Sequence, residues 1–367
     1  MAGVSIGLST RNLYAELTQR ALFDSENPTP GTVATKRVKG REYLSAKEKH
    51  GQRIVERYLG AADDPEVQRI AAAIRDSRNS SNERRRLIQM IKRAGVAGPT
   101  LETGRVLEAL ERSGLFESGL ILVGTQAFQI YPIIIGEQLS TEGMMTNDAD
   151  FAVASIVSIN GDADLSTVLK RADPSFAPQI QLRKTALPKR FRAANGYVVE
   201  ILTPVRSRKD EDPVAIKSIG ASATPLHYLE FLIEEAMTAV ALYGSGVRVK
   251  IPQPERYAVH KLIIAAQPER DRAKRRKDLL QAKELIEAIG RDNPTALANA
   301  LIDAASRGPK WKAAMRDSLA FLEPDGIAAH LPIGFMDKLS ARRPRPRVEA
   351  GKSGRAAKPA RSRSART

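Results

Sequence analysis

The chain of 367 residues contains no cysteine. This absence excludes disulfide bonds, thiolate metal sites and cysteine nucleophiles, and it fits a reducing compartment. Only four histidines are present, so we do not expect a histidine-rich metal centre. Aromatic residues make up 5% of the chain, and aromatic stacking is therefore not expected to be a main binding device.

Long hydrophobic runs are also lacking. The most apolar window, residues 119–136, is interrupted by Gln126, Gln129 and Pro132 and falls short of the roughly 20 apolar residues of a membrane helix. The N-terminal sequence MAGVSIGLSTRN has no basic segment followed by a long apolar stretch, so it does not resemble a secretory signal. We therefore predict a cytoplasmic protein without a membrane partner, and we interpret residues 119–136 as buried core.

Positive charge is present in excess. The chain has 58 Lys and Arg against 42 Asp and Glu, a net charge of +16. Such a balance suggests a polyanionic partner, for example nucleic acid, a nucleotide or an anionic membrane. Residues 341–367 hold ten Lys or Arg, one Glu and almost no large apolar residue, so we predict a disordered basic tail that could contact nucleic acid. The other 340 residues keep a net charge of only +7.

The apolar pattern divides the chain into four predicted parts. Residues 1–99 are expected to be mainly helical, residues 100–213 to form an α/β unit, residues 214–335 to form a mainly helical domain, and residues 341–367 to be the tail. Residues 40–60 are assigned to a helix because Ile54, Val55, Tyr58 and Leu59 recur at helical spacing. Further helices are predicted at 10–23, 65–75, 82–93, 226–242, 254–266, 270–289, 294–306 and 311–321.

The α/β unit has predicted helices at 100–113, 126–135 and 165–172, and strands at 120–123, 148–155, 179–182 and 197–203. Asn195-Gly196 is a hairpin turn signal, because both residues tolerate positive φ.

Two carboxylates open one of these strands. Asp148 and Asp150 are separated by one residue, so on a strand they point to the same side. Neighbouring carboxylates repel each other unless a cation lies between them, and Mg²⁺ prefers carboxylate and phosphate oxygens. The alternative is a polar strand start exposed to water.

Glu200 lies among apolar residues in the strand after the Asn-Gly turn. If that strand lies beside the strand of Asp148 and Asp150, three carboxylates converge. Three carboxylates can hold two metal ions and stabilise both oxygens of a phosphoryl transfer. Glu200 could also accept the proton of the attacking group.

Gly124-Thr125 stands at a predicted junction between strand and helix. Glycine lets the backbone approach a ligand closely, the first N–H groups of a helix can receive a phosphate, and the threonine hydroxyl can bind the same phosphate. A simple turn is the alternative interpretation.

In this order, the three features resemble the nucleotidyltransferase fold of the DNA polymerase β superfamily. Thr125 stands where the superfamily more often has serine, and Glu200 stands for its third acidic residue. The chain is most similar to uncharacterised bacterial nucleotidyltransferase-like proteins, over residues 100–320 and through PQPERYAVHKLIIA and RRKDLLQAKELI. The resemblance implies an α/β (α+β) core with a mixed sheet. It also implies Mg²⁺- or Mn²⁺-dependent transfer of a nucleotidyl group from an NTP to a hydroxyl or phosphate acceptor, such as tRNA or protein.

A looser similarity connects the chain with the nucleotidyltransferase toxins of abortive-infection systems. It implies that Lys261 and Asp278 form a second functional pair, although Lys261 could equally be a surface lysine. Asp278 is expected to pair with Lys261 or with Arg276. The basic stretch at 270–277, which includes Arg270 and Arg276, is interpreted as a phosphate-binding segment or as a solvated helix start.

A catalytically inactive nucleotidyltransferase-fold protein that binds nucleic acid or another protein is the alternative function. The basic tail and the basic residues of 84–93 favour this alternative. The complete set of carboxylates favours the enzyme.

Overall fold

The computed structural model describes residues 4–23, 31–50, 53–144, 148–153, 164–179, 187–205, 212–322 and 326–340. The predicted basic tail and most of the predicted strand at 179–182 lie outside the described residues.

The N-terminal region contains helix α1 (Leu8–Phe23), strands β1 (Thr32–Val38), β2 (Arg41–His50) and β3 (Arg53–Ala61), and helix α2 (Pro65–Arg93). The three strands form an antiparallel sheet in the order β1-β2-β3. Asp64 caps α2 by accepting the N–H groups of Glu66 and Val67, and Pro65 fits the first turn. Helices of 16 and 29 residues thus supply most of the regular structure in this region.

The predicted helix at 40–60 is wrong, because these residues form β2 and β3. One face of the small sheet packs on α2, where Leu44 is buried near Val67 and Ala71 and Val33 is partly buried beside them. The opposite face is exposed and still carries Ile54 and Tyr58. A register shift between Leu44 and Ser45 further disturbs the alternation of apolar and polar residues along the strands. Apolar residues on both faces of a bulged hairpin therefore imitated helical spacing.

The central region starts with helix α3 (Leu101–Arg112) and contains a seven-stranded mixed sheet. Its elements are β4 (Leu120–Val123), α4 (Gly124–Phe128), α5 (Tyr131–Ile135), α6 (Thr141–Met144), β5 (Asp148–Val153), α7 (Leu165–Ala172), β6 (Ala177–Pro178), β7 (Arg190–Arg192), β8 (Val198–Pro204), β9 (Val214–Ile216) and β10 (Ala221–Leu226). The main strand order is β4-β5-β8-β10-β9. Strands β5, β8 and β10 are parallel, and β4, β7 and β9 run antiparallel to their neighbours, which confirms the predicted mixed sheet.

The Asn195-Gly196 turn connects β7 and β8 as an antiparallel hairpin, as predicted. Gly196 has a φ of 87°, and the side-chain oxygen of Asn195 accepts the N–H of Tyr197 at 3.0 Å. The hairpin places Arg190 of β7 directly opposite Glu200 of β8. The Asn-Gly turn thus places the charges of Arg190 and Glu200 side by side.

The C-terminal part contains α8 (Leu229–Ile233), β11 (Met237–Ala241), β12 (Val247–Ile251), α9 (Pro254–Ala265), α10 (Arg272–Asp292), α11 (Pro294–Ser306), α12 (Pro309–Leu322) and α13 (Phe335–Ser340). The predicted helices at 254–266, 270–289, 294–306 and 311–321 are confirmed as α9 to α12. The single helix predicted at 226–242 is wrong, because α8 stops before Glu235, which has a φ of 59°, and β11 pairs with β12.

One hydrophobic core runs from Val106 to Leu339 and joins the sheet to the C-terminal helices. The sheet itself continues past residue 213 into β9 and β10. No helix among the described residues is long and apolar enough to cross a membrane. The C-terminal helices are therefore packed directly against the sheet that carries the candidate site.

Candidate active site

Charged side chains form a row across three neighbouring strands of the central sheet. Asp150 of β5 lies opposite Glu200 of β8, and Glu200 lies opposite Arg190 of β7. Asp148 precedes Asp150 by two residues on the same face, whereas Ala149 on the other face is buried. The structure thus brings the three carboxylates named by the sequence to one face of the sheet.

Glu200 has a partner at each oxygen. Its Oε2 lies 2.7 Å from the guanidinium of Arg190, and its Oε1 accepts the hydroxyl of Thr224 at 3.0 Å. The hydrogen bond to Glu200, together with the charges of Asp150 and Asp148, raises the pKa of Arg190. Sequence reasoning missed Arg190 and Thr224, although counting back from the Asn-Gly turn would have placed Arg190 beside Glu200.

Negative charge is crowded at Asp150. Burial, followed by the charges of Asp148 and Glu200, raises the pKa of Asp150 to about 7, while Lys261 and Arg190 act in the opposite direction. A carboxyl group in this situation gains from a nearby cation. The surroundings of Asp150 therefore favour a ligand that brings positive charge.

The Gly124-Thr125 turn packs directly against this carboxylate. Gly124 has a φ of 64°, and a Cβ atom at this position would lie 2.8 Å from Oδ2 of Asp150. The hydroxyl of Tyr257 donates to the carbonyl of Gly124 at 2.9 Å, which fixes the turn from the side of α9. Thr125 follows half-buried in α4. Only glycine fits here, for reasons of both conformation and space.

An open cavity of about 290 Å³ adjoins the row, and it is lined by Asp148, Asp150, Arg190, Gly196, Val198 and Glu200. This volume is at the lower end of the range of small-molecule sites. Both signs of charge face the cavity, so it suits a ligand that combines a cation with phosphate groups.

Lys261 and Asp278 form an ion pair between α9 and α10, with 2.7 Å between Nζ and Oδ1. Arg270 binds the other oxygen of Asp278 at 2.6 Å. Lys261 is 7% exposed and Asp278 is 1% exposed, so the interpretation of Lys261 as a surface lysine is wrong. Arg276 instead pairs with Glu142 at 3.3 Å on the surface.

Lys277 lies one residue before Asp278 on α10. Burial, followed by the charge of Lys261, lowers the pKa of Lys277, while the charges of Asp148, Asp278 and Asp150 act in the opposite direction. The charge of Lys277 therefore interacts with carboxylates of both sets. The sequence marked Lys277 only as part of a basic stretch.

His260 is buried beside Lys261, and burial lowers its pKa to about 3. It is therefore a neutral packing residue at neutral pH. Trp311 is partly buried and packs edge-on against Tyr228 and Phe231 at the margin of the core.

The fit of a divalent cation rests on Asp148 and Asp150. Their oxygens are hard donors, and Mg²⁺ is commonly held by one or two carboxylates together with substrate phosphates. Within the described ranges, no three carboxylate or imidazole groups stand together as a complete metal-binding set. Asp148 and Asp150 thus fit the cation, whereas Glu200 is already engaged by Arg190 and Thr224.

Residues 101–306, more than half of the chain, match the family described as Nucleotidyltransferase, and the chain belongs to this family. No curated protein matches the chain significantly. Among solved structures, the crystal structure of an antigenic nucleotidyltransferase-like protein from Paracoccidioides brasiliensis is similar, with 16% sequence identity and a TM-score of 0.31. That similarity covers 59% of this chain and 92% of the other. The family match confirms the resemblance to nucleotidyltransferases, and the similarity to abortive-infection toxins stays a prediction.

Proposed function

We propose that the chain transfers a nucleotidyl group from an NTP to a hydroxyl or phosphate acceptor, with Mg²⁺ or Mn²⁺ as the cofactor. Family membership supports the reaction class. We place the reaction at the carboxylate row because Asp150 lies directly opposite Glu200, with Asp148 on the same face and the backbone of Gly124 packed against Asp150. The cavity beside this row has room for the phosphates of the substrate.

Asp148 and Asp150 are the residues that would hold the divalent cation. A bound cation would supply stabilisation of the negative charge on the transferred phosphoryl group. Glu200 was predicted as a third ligand, but it is held by Arg190 and Thr224. We propose that Glu200 orients Arg190 and accepts the proton of the acceptor. Gly124 and Thr125 would face the triphosphate.

Cations around the row would neutralise the phosphates. Arg190 lines the cavity, and the charges of Lys261 and Lys277 act on the same carboxylates. Asp278 fixes Lys261 and Arg270 by direct ion pairs. Phosphoryl transfer depends mainly on such positioning and charge stabilisation. Arg276, exposed on α10, is proposed to contact the nucleotide or an acceptor farther out.

The test uses the full chain with each NTP labelled at its α-phosphate, with Mg²⁺ or Mn²⁺, and with total tRNA or total protein as acceptor. We expect label on one acceptor class, and we expect Asp148→Asn and Asp150→Asn to abolish it. Asp317→Asn is the matched control, because Asp317 is an exposed carboxylate on α12 paired with Arg316. Label that persists in both site variants would contradict the proposed site.

An inactive protein that binds nucleic acid or a protein partner is the alternative. The salt bridge from Arg190 to Glu200 favours it, because a neutralised third carboxylate is less available to a metal ion. No carboxylate-dependent label on any acceptor, together with no binding of an NTP with Mg²⁺, would support this alternative. Transfer that depends on Asp150 would exclude it.

A cytoplasmic location is a further proposal, and so is a toxin-like role, which depends on activity. Expression in a bacterial host should then arrest growth, and the Asp150→Asn variant should not. Normal growth at equal levels of active protein would contradict the toxin-like role. The predicted contact of the basic tail with nucleic acid is tested by comparing RNA binding of the full chain and of a chain that ends at Ser340.

A further inference from the structure

The small N-terminal sheet has one free face, here called the tyrosine face. Its opposite face packs on α2 through Leu44, with Val33 partly buried beside it. On the tyrosine face, Lys36 of β1 lies opposite Tyr43 of β2, and Tyr58 of β3 follows at a ring distance of 6.0 Å from Tyr43. Two aromatic rings and a lysine thus stand side by side on the surface.

The tyrosine face exposes two large side chains of β3. Tyr58 is 66% exposed and Ile54 is 69% exposed. Exposed apolar side chains that cluster on one face commonly mark an interaction site. We therefore expect a partner that packs against flat aromatic rings.

Cations surround the two rings. Between residues 32 and 61 the sequence has eight Lys or Arg, three Glu and no Asp. Arg41 lies close enough for the charges of Tyr43 and Tyr58 to act on its pKa, which its hydrogen bond to Asp63 raises first. Lys47 is 3.8 Å from Glu56, and Lys36 has no ion pair within the described part of the chain. The partner should therefore be an anion.

We propose that the tyrosine face binds single-stranded nucleic acid, with bases stacked on Tyr43 and Tyr58 and phosphates near Lys36, Arg41 and Lys47. Unpaired bases expose their ring faces, whereas the bases of a duplex are stacked on each other and offer none. Basic side chains interleaved with aromatic rings are the usual composition of such a platform. The sheet lies outside residues 101–306, so this proposal does not depend on the proposed transfer reaction.

The test measures the binding of fluorescent single-stranded oligonucleotides, and of the same sequences as duplexes, to the full chain. Stacking contributes enough per base that Tyr58→Ser should weaken single-strand binding by about 5-fold to 100-fold, whereas Tyr58→Phe should stay within about 2-fold. Lys36→Gln should reduce the slope of log affinity against log salt by about 0.7, as expected for one lost phosphate contact on a single strand.

Val55→Ser is the matched control, because Val55 is exposed on the same strand but points to the other face. All variants keep the basic tail, so its contribution cancels. Circular dichroism checks that each variant is folded. Equal affinity of wild type and Tyr58→Ser, or equal loss in Val55→Ser, overturns the proposal. A dimer that Tyr58→Ser converts to a monomer, with unchanged oligonucleotide binding, assigns the face to a second copy and overturns it as well.

Discussion

At the scale of single residues, Gly124 is held by two independent constraints. Its φ of 64° is costly for other residues, and the space for a Cβ atom is taken by Asp150. We predict that Gly124→Ala lowers the free energy of unfolding by at least ~1 kcal/mol more than Gly95→Ala does. Gly95 also has positive φ, at 88°, but a Cβ atom there would meet nothing within 4 Å. Urea unfolding of both variants measures the difference, and equal losses would show that Asp150 does not crowd Gly124.

His260 provides a pH signature. Burial lowers its pKa to about 3, while in the unfolded chain the group titrates near its ordinary value of about 6.5. Below pH 6.5 the unfolded state therefore binds a proton at His260 that the folded state does not bind. The free energy of unfolding falls as the pH falls through this range. Between pH 7 and pH 5 the wild type should lose about 2 kcal/mol more than His260→Gln. Urea unfolding at both pH values measures this, and parallel losses in the two proteins would place a charged histidine in the folded state.

The candidate site shows how far single residues can be read from sequence. Asp148 and Asp150 were identified because their spacing is local, and Glu200 because a charge among apolar residues stands out. Arg190, Thr224 and Tyr257 could not be connected with them from spacing alone. Each meets the site through strand register or through helix packing across the core, which no local pattern records.

At the scale of elements, α9 and α10 are joined by a buried ion pair. Removing only one partner leaves an uncompensated charge in the core, so we predict that Asp278→Ala costs ~3–5 kcal/mol of stability. The double variant Lys261→Met/Asp278→Ala should recover most of this loss relative to Asp278→Ala, because Arg270 is partly exposed and can be hydrated, and Lys261→Met is the second single variant. Unfolding free energies of the single and double variants form the required cycle. A double variant no more stable than Asp278→Ala would show that the cost is lost packing and not lost charge balance.

Helices and strands were predicted best where glycine, proline or an Asn-Gly turn stands at their ends. Strand β4 stops at Gly124, α9 starts at Pro254, α11 starts at Pro294, and the Asn-Gly turn defines the β7–β8 hairpin. The sequence missed β1, β9 and β10 and predicted one helix at 126–135 where α4 and α5 are separate. Strands β2, β3 and β11 were assigned to helices because they lack clean alternation. Ser45 is buried beside Leu44 and Ala46, and Ala239, Val240 and Ala241 are all buried. A strand is identified in a sequence by apolar and polar residues that alternate. This alternation is lost where successive residues are all buried or where exposed positions are apolar.

At the scale of the whole molecule, the predicted division between residues 100–213 and 214–335 is a proposal about cooperativity. The hydrophobic core and the sheet both extend across residue 213, so we expect the two parts to unfold together. Trp311 is the single tryptophan of the chain and reports on the C-terminal helices. Its fluorescence and the hydrogen exchange of β5 and β8 amides should show the same dependence on denaturant. Separate transitions would establish two domains.

The parts of the candidate site are translated at different times. Asp150, Arg190 and Glu200 emerge early, but the turn at Gly124 is held by Tyr257, whose hydroxyl also lies 3.1 Å from Gln281. A chain that has been translated only to the end of β10 has the acidic residues of the row and lacks both Tyr257 and the helices that close the core. The carboxylate row and the turn that packs against it are therefore complete only after α9 and α10 have been translated, so the growing chain passes most of its synthesis without a formed candidate site.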